Sequence, residues 1–244
     1  MVAHHLAKVR VASSSLVIRS MNTLFGPTEA GYGSVRAIYA MTANGAFAIG
    51  SSSTGIGDDT DAALLAHARS WADCVLVGSQ TVKDEDYSGA VVSAAEQKAR
   101  IDRGQAPVPP IAVPTNSLDL DPAAKFFTDT EAAPLLLTSS EHRPAALLEA
   151  GARILACNTE SPHAILQVLR EQGYEKIMLE GGPGLFAQFM RAELVDVAYI
   201  TVAPRWTANT LGEDGFPDSE LILDNVASSE TGCVFLRYRR ALND

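Results

Sequence analysis

The residues best suited to chemistry lie in one stretch, Lys176-Ile-Met-Leu-Glu180-Gly181-Gly182-Pro183-Gly184-Leu185, continuing to Met190. A carboxylate that closes an apolar run and is followed at once by a glycine turn sits where open α/β sheets hold their ligands. Glycine takes positive φ at no steric cost and lets the backbone approach a ligand closely. A helix starting there presents free N–H groups and the positive end of its dipole, a natural seat for a phosphate. The plainer reading is that Gly181 to Gly184 only make a tight connection. Gly182-Pro-Gly184-Leu-Phe-Ala187 also fits the dinucleotide fingerprint G-x-G-x-x-G/A formally. That fingerprint belongs in the first βα turn of a long βαβαβ unit, whereas this turn lies late in the chain.

Other chemistries find little support. The three cysteines, Cys74, Cys157 and Cys233, form no C-x-x-C pair, and the five histidines are scattered, with only His4 and His5 adjacent, so no metal site is expected. Asp58, Asp59 and Asp61 cluster at a helix start and read as capping charges rather than metal ligands. No G-x-S-x-G elbow occurs, which argues against a hydrolase. A net charge of -10 argues against a nucleic-acid partner, although a small anion can still be held by backbone N–H groups. No apolar run reaches the ~18 residues a transmembrane helix needs. The N-terminus does not read as a signal peptide, so a cytoplasmic protein without membrane partners is expected.

The elements that must position the stretch alternate along the chain. Strands are expected at Val35–Ala40, Ala46–Ile49, Asp73–Val77, Ile111–Val113, Leu135–Leu137, Arg153–Ala156, Val195–Ala203 and Val234–Arg239. Helices are expected from the Asp58 cluster to Trp71, over Ala90–Arg103, over Arg143–Glu149, and from the Ser161-Pro162 cap to Gly173. The charge run from Val82 to Tyr87 reads as an exposed loop, and residues 1–34 as a peripheral arm or helical packing piece. The class is α/β with a mainly parallel sheet, antiparallel strands entering near the C-terminus, and a single domain over residues 35–244. In such a sheet the glycine turns after residues 41, 77 and 180 converge at one edge.

The ordered series Met41-Thr42-Ala-Asn44-Gly45, Arg69-Ser-Trp-Ala-Asp73-Cys-Val-Leu-Val-Gly78-Ser-Gln-Thr81, Leu179-Glu180-Gly181-Gly182-Pro-Gly-Leu185, Leu194-Val-Asp196 and Val202-Ala-Pro204 resembles the pyrimidine reductase domain of riboflavin biosynthesis. The resemblance runs from about Val35 to Arg239, and its Thr81–Gly89 tail looks most like the actinobacterial single-domain branch. It implies a dihydrofolate-reductase-like fold, mixed and mainly parallel with flanking helices. It further implies NADPH-dependent hydride transfer to an imine or carbonyl carbon of a pyrimidine- or pterin-like small molecule, and a homodimer in which Val234–Arg239 could lie at the contact. Carried onto this chain, cofactor contacts fall at Ala40, Thr42, Asn44, Gly78, Thr81, Glu85, Thr115 and the turn Gly181, Gly182, Pro183, Gly184 and Leu185, extending to Gln188. Glu180 takes the catalytic position facing the substrate, with Ser53 near it. The chain departs from the pattern in having Ile38, Asn44, Ala62 and Val92 where the relatives carry a lysine, an aspartate and two phosphate-clamping arginines. Those departures point to an altered substrate that lacks the phosphate. The alternative is a nucleotide-binding protein of the same fold without turnover. The deaminase half often fused to such domains is absent, since neither H-x-E nor P-C-x-x-C occurs.

Overall fold

The computed structural model describes residues 20–29, 31–49, 53, 55–208 and 218–241. Most of residues 1–34, and residues 50–52, 54, 209–217 and 242–244, therefore lie outside the described residues. The strands are β1 (Val35–Thr42), β2 (Cys74–Val77), β3 (Ile111–Pro114), β4 (Leu135–Thr138), β5 (Arg153–Ala156), β6 (Ile177–Gly181), β7 (Val197–Ala203), β8 (Leu221–Ser228) and β9 (Val234–Arg240). They form one nine-stranded sheet in the order β5-β4-β3-β2-β6-β1-β7-β9-β8. Neighbours from β5 to β7 are parallel, and β9 runs antiparallel to both β7 and β8.

Side chains alternate between the two faces of each strand, and that alternation decides what reaches the site. In β2, Val75 and Val77 join one buried cluster and Cys74 and Leu76 the other; in β6, Met178 faces the first cluster and Ile177 and Leu179 the second. The first face is covered by α2 (Asp59–Trp71) through Leu64, Ala68 and Trp71. The second is covered by α7 (Pro162–Glu171) and α8 (Pro183–Arg191) through Ile165, Leu169, Phe186 and Phe189. By the same period, Glu180 falls on the α2 face with Met178.

Three helices lie where the sequence is least regular. Helix α1 (Met21–Phe25) buries Leu24 and Phe25 in the core, and Phe25 stacks on Tyr199 with ring centroids 4.9 Å apart. Helix α3 (Ser79–Asp84) occupies part of the Val82–Tyr87 run, correcting the expected loop: Val82 is its one buried anchor, while Lys83 and Asp84 face solvent. Helix α5 (Lys125–Thr128) buries Phe126 and Phe127. The remaining helices are α4 (Ala94–Asp102) and α6 (Ala145–Glu149). Buried Arg100 on α4 donates to the carbonyls of Ser70 and Ala72 at 2.7 Å, pinning the C-terminal end of α2.

Ala46–Ile49 is not a strand; only Ile49 makes an isolated bridge. The chain is drawn into a turn instead, because Thr42 N–H donates to the Ala46 carbonyl and Ala46 N–H donates to Thr42 Oγ1. Strand β9 is paired along both edges, so the free sheet edge at this end belongs to β8, and a subunit contact through Val234–Arg239 would have to use its faces.

Candidate active site

Because β3, β2, β6 and β1 run parallel, their C-terminal ends open on one edge. A cleft of about 1010 Å³ runs along that edge from Pro114–Ser117 after β3, past Gly78 after β2 and the Glu180–Leu185 turn after β6, to Ile38–Ala40 in β1. Of the site residues expected from sequence, Ala40, Ser53, Gly78, Thr81, Glu85, Thr115, Glu180, Gly181, Gly182, Pro183, Gly184 and Leu185 line it, as does Gln188.

The turn at its centre needs glycine. Gly181 has φ 137 and Gly182 φ 72, values an L side chain resists. Gly78 N–H donates to the Gly181 carbonyl at 2.9 Å, so the turns after β2 and β6 lie back to back. A β-carbon on Gly182 would sit 3.3 Å from Thr81 Oγ1 and 3.4 Å from Gly78 Cα. Gly182 also caps α8, whose first residue, Pro183, lacks an N–H and suits that position. The N–H groups of Gly184 and Leu185 lie in the first turn, where no intrahelical partner exists. No side chain caps this helix.

Glu180 is not a solitary carboxylate. Arg69 on α2 grips it with two bonds, Nε to Oε1 at 2.8 Å and Nη2 to Oε2 at 2.7 Å, and the Tyr87 hydroxyl donates to Oε2 while accepting from Arg69 Nη2 at 2.8 Å. The side chains of Arg69 and Glu180 are 16% and 3% exposed. Burial, the largest single influence, would lower the Arg69 pKa, but the charge of Glu180, the contribution of Tyr87 and the hydrogen bonds to both together outweigh it and the net shift is upward. Burial and then the Glu180 charge push the Tyr87 hydroxyl well above its ordinary value. Glu180 lines the cleft, and both of its oxygens also serve in tying β6 to α2 and to the segment after α3. Sequence reasoning left Arg69 and Tyr87 without a role. The available signal was the two-residue period that turns Glu180 toward α2, with Arg69 next to buried Ala68 and Ser70.

Thr42 and Asn44 do not line the cleft. Thr42 is fully buried and its hydroxyl donates to Asn44 Oδ1 at 2.8 Å, while Asn44 Nδ2 donates to the Thr207 carbonyl at 2.8 Å. These two residues hold the turn after β1. Ser53 N–H donates to Glu85 Oε1 at 2.9 Å, joining Ser53 to the residue that ends α3. Thr115 Oγ1 accepts from Leu118 N–H at 3.3 Å, and Asn116 Oδ1 from Ser139 N–H at 3.0 Å, which fixes the turn after β3.

The electrostatics of the cleft are one-sided. Its described lining holds six carboxylates, Asp58, Asp61, Asp84, Glu85, Glu160 and Glu180, and no lysine, arginine or histidine. Asp58 caps α2 by accepting from Thr60 and Asp61 N–H, each at 3.0 Å, and also accepts from Ser229 Oγ at 2.6 Å and from the Thr231 hydroxyl. Partial burial works against its charge, yet those hydrogen bonds prevail and hold its pKa at about 2. Burial pushes Asp61 the other way, upward. Among the described residues no group of His, Cys, Asp and Glu has the arrangement of a metal site, and no helix is long and apolar enough to cross a membrane.

Comparison with known proteins places this geometry. The 2,5-diamino-6-ribosylamino-4(3H)-pyrimidinone 5′-phosphate reductase of Methanothermobacter thermautotrophicus is 28% identical over 170 residues, covering 68% of this chain and 74% of that protein. A pyrimidine reductase-like protein from Corynebacterium diphtheriae matches in structure with a TM-score of 0.80 at 24% identity, covering 91% of this chain and 99% of the other. The diaminohydroxyphosphoribosylaminopyrimidine deaminase/5-amino-6-(5-phosphoribosylamino)uracil reductase of Thermotoga maritima matches with a TM-score of 0.69 at 20% identity, over 86% of this chain and 57% of that one. At these identities the structural matches speak for the fold, which is that of the reductase domains. The family model described as the RibD C-terminal domain matches residues 34–233, and the chain belongs to that family.

Proposed function

We propose that this chain is an oxidoreductase of the pyrimidine reductase type, with NADPH as hydride donor to an imine or carbonyl carbon of a pyrimidine- or pterin-like acceptor. The observation that carries the reading is the double-glycine turn, with its uncapped helix start, at the centre of a cleft large enough for a dinucleotide and a small acceptor. A β-carbon at Gly182 would crowd that cradle, and its donors are neutral peptide groups suited to a diphosphate. NADPH supplies the hydride when bound, so the protein need supply little acid or base of its own.

The work left to this chain is binding and orientation. The N–H groups of Gly184 and Leu185 receive the diphosphate, Thr81 and Glu85 border it, and Thr115, Asn116 and Ser117 receive the adenosine end. The Arg69–Glu180–Tyr87 cluster makes Glu180 a positioning residue that keeps the β6 turn at a fixed height above α2. Ile38, Phe47 and Leu65 provide an apolar wall at the β1 end, which excludes water from the reacting carbon. The same reading treats residues 35–244 as one cytoplasmic reductase domain acting as a homodimer.

The test is oxidation of NADPH followed by absorbance with amino-pyrimidine and pterin acceptors, NADH being run in parallel. Turnover with either nucleotide supports the reductase, and a clear preference for NADPH supports the choice of donor. Tight binding with no turnover over the whole panel would favour a nucleotide-binding protein without catalysis. Absence of any nicotinamide nucleotide binding would remove the reading altogether.

A further inference from the structure

The charge of the cleft separates its two jobs. A diphosphate needs only the neutral N–H groups of the β6 turn, but a phosphate on the acceptor would have to find donors at the β1 end, beyond that turn. The elements there are β1 and the start of α2, and they contribute Ile38, Tyr39, Ala40, Asp58, Asp61 and Leu65. The start of α2 is the natural anion seat on that side, since a helix N-terminus offers free N–H groups. That seat is taken: Asp58 accepts from Thr60 and Asp61 N–H with its own carboxylate, which Ser229 and Thr231 anchor from the other side. An incoming phosphate would meet two carboxylates there and no cation among the described lining residues.

Asp61 stands in the first turn of the same helix. It lines the cleft, and it takes part in none of the ion pairs found among the described residues. Its carboxylate fills the space beside Gly57, where a β-carbon would collide with it. An acid placed this way, beside the apolar Ile38 and Leu65, accepts hydrogen bonds from a flat ring edged with N–H groups. Charge-assisted bonds of that kind are the strong ones.

We infer, building on the reductase reading above, that the acceptor is an unphosphorylated amino-heterocycle, neutral or cationic, whose N–H edge is received by Asp61. The chain has thus kept the hydride-transfer cleft while turning its acceptor end away from sugar phosphates.

The experiment uses the whole protein saturated with NADP+, so that binding is read without turnover. NADP+ affinity is measured first. Two probes are then titrated calorimetrically: 2,5-diamino-6-ribosylamino-4(3H)-pyrimidinone 5′-phosphate, and the same compound after treatment with a phosphatase. The dephosphorylated probe is expected to bind about tenfold or more tightly than its parent. Asp61→Asn should weaken the dephosphorylated probe about tenfold and leave NADP+ affinity unchanged. Ala62→Arg, at an exposed position beside Asp61, should reverse the preference by recovering the phosphorylated probe. Tighter binding of the phosphorylated probe to the wild type, or binding of neither, overturns the inference while normal NADP+ affinity leaves the reductase reading standing. Failure of NADP+ itself to bind brings both down.

Discussion

Replacing Arg69 by methionine removes the partner of a carboxylate that is 3% exposed, and the structure sets the size of the effect. Glu180 keeps only the Tyr87 hydroxyl, and Tyr87 loses the guanidinium whose proton it accepts. Breaking a buried ion pair from one side costs about 3–5 kcal/mol, and the cleft beside Glu180 favours the lower end, about 3 kcal/mol. For a domain of this size that lowers Tm by about 6–12 °C. Glu180→Gln leaves Arg69 without its carboxylate, bonded only to Tyr87, and should likewise cost about 3 kcal/mol. The double variant removes both charges together, so it should cost about 2 kcal/mol or more less than the sum of the two singles. Urea unfolding followed by the fluorescence of buried Trp71, at constant slope, gives all three numbers. Single losses that add to within about 0.5 kcal/mol would refute the claim that the cluster is one unit.

Gly182→Ala forces an L residue to φ 72 against Thr81 and Gly78, so it should cost about 1–3 kcal/mol and weaken NADP+ at least tenfold, read by calorimetry. Gly184→Ala meets nothing within 4 Å and should be neutral or stabilising by up to about 1 kcal/mol. Tyr87→Phe should cost about 1–2 kcal/mol, since it deletes a hydroxyl bonded to both Arg69 and Glu180. Asp58, held at about 2 when folded, gives a stabilisation that is full above its unfolded value near about 4 and is lost as pH falls toward the folded value. Asp58→Asn should therefore be less stable than wild type at neutral pH, with the gap closing as unfolding is followed from pH ~4 to ~2.

The strand-turn-helix at Ile177–Arg191 was legible because every local signal agreed: an apolar run, a glycine turn, proline at the first helical position and helical spacing of Leu185, Phe186, Phe189 and Met190. The parallel core was legible from the same alternation of buried strands with capped helices. Strand β8 was not, because Asp224 and Asn225 look like turn residues, and the pairing does shift register between Leu223 and Asn225. Asp224 tolerates its place through Arg237, whose Nε donates to it at 2.7 Å, a partner 13 residues away that no local pattern reveals. The bonds by which Thr42 and Asn44 close the turn after β1 were not legible, because a polar turn after a strand looks the same in sequence whether its side chains face a ligand or close the turn on itself. Arg69 and Tyr87 show the converse limit, since their roles exist only once α2 and the segment after α3 meet β6.

An acidic cleft proposed to hold a diphosphate is not a contradiction once the partners of Glu180 and Asp58 are counted. Arg69 compensates Glu180, and four donors converge on Asp58. The β6 turn answers an anion with aligned peptide dipoles, equivalent to about half a positive charge at the start of α8, fixed in place by the backbone. Two unit charges 6 Å apart interact by about 3 kcal/mol at an effective dielectric constant of about 20, so a phosphate beside Asp58 and Asp61 would be repelled by more than a helix start returns. Position along the cleft, and not its total charge, therefore decides where an anion is tolerated: at the glycine turn it meets donors, and at the β1 end it meets acids. Raising the salt should accordingly leave NADP+ affinity nearly unchanged while reducing the penalty on a phosphorylated acceptor, and an affinity for NADP+ that falls steeply with salt would show that cationic side chains hold the dinucleotide after all.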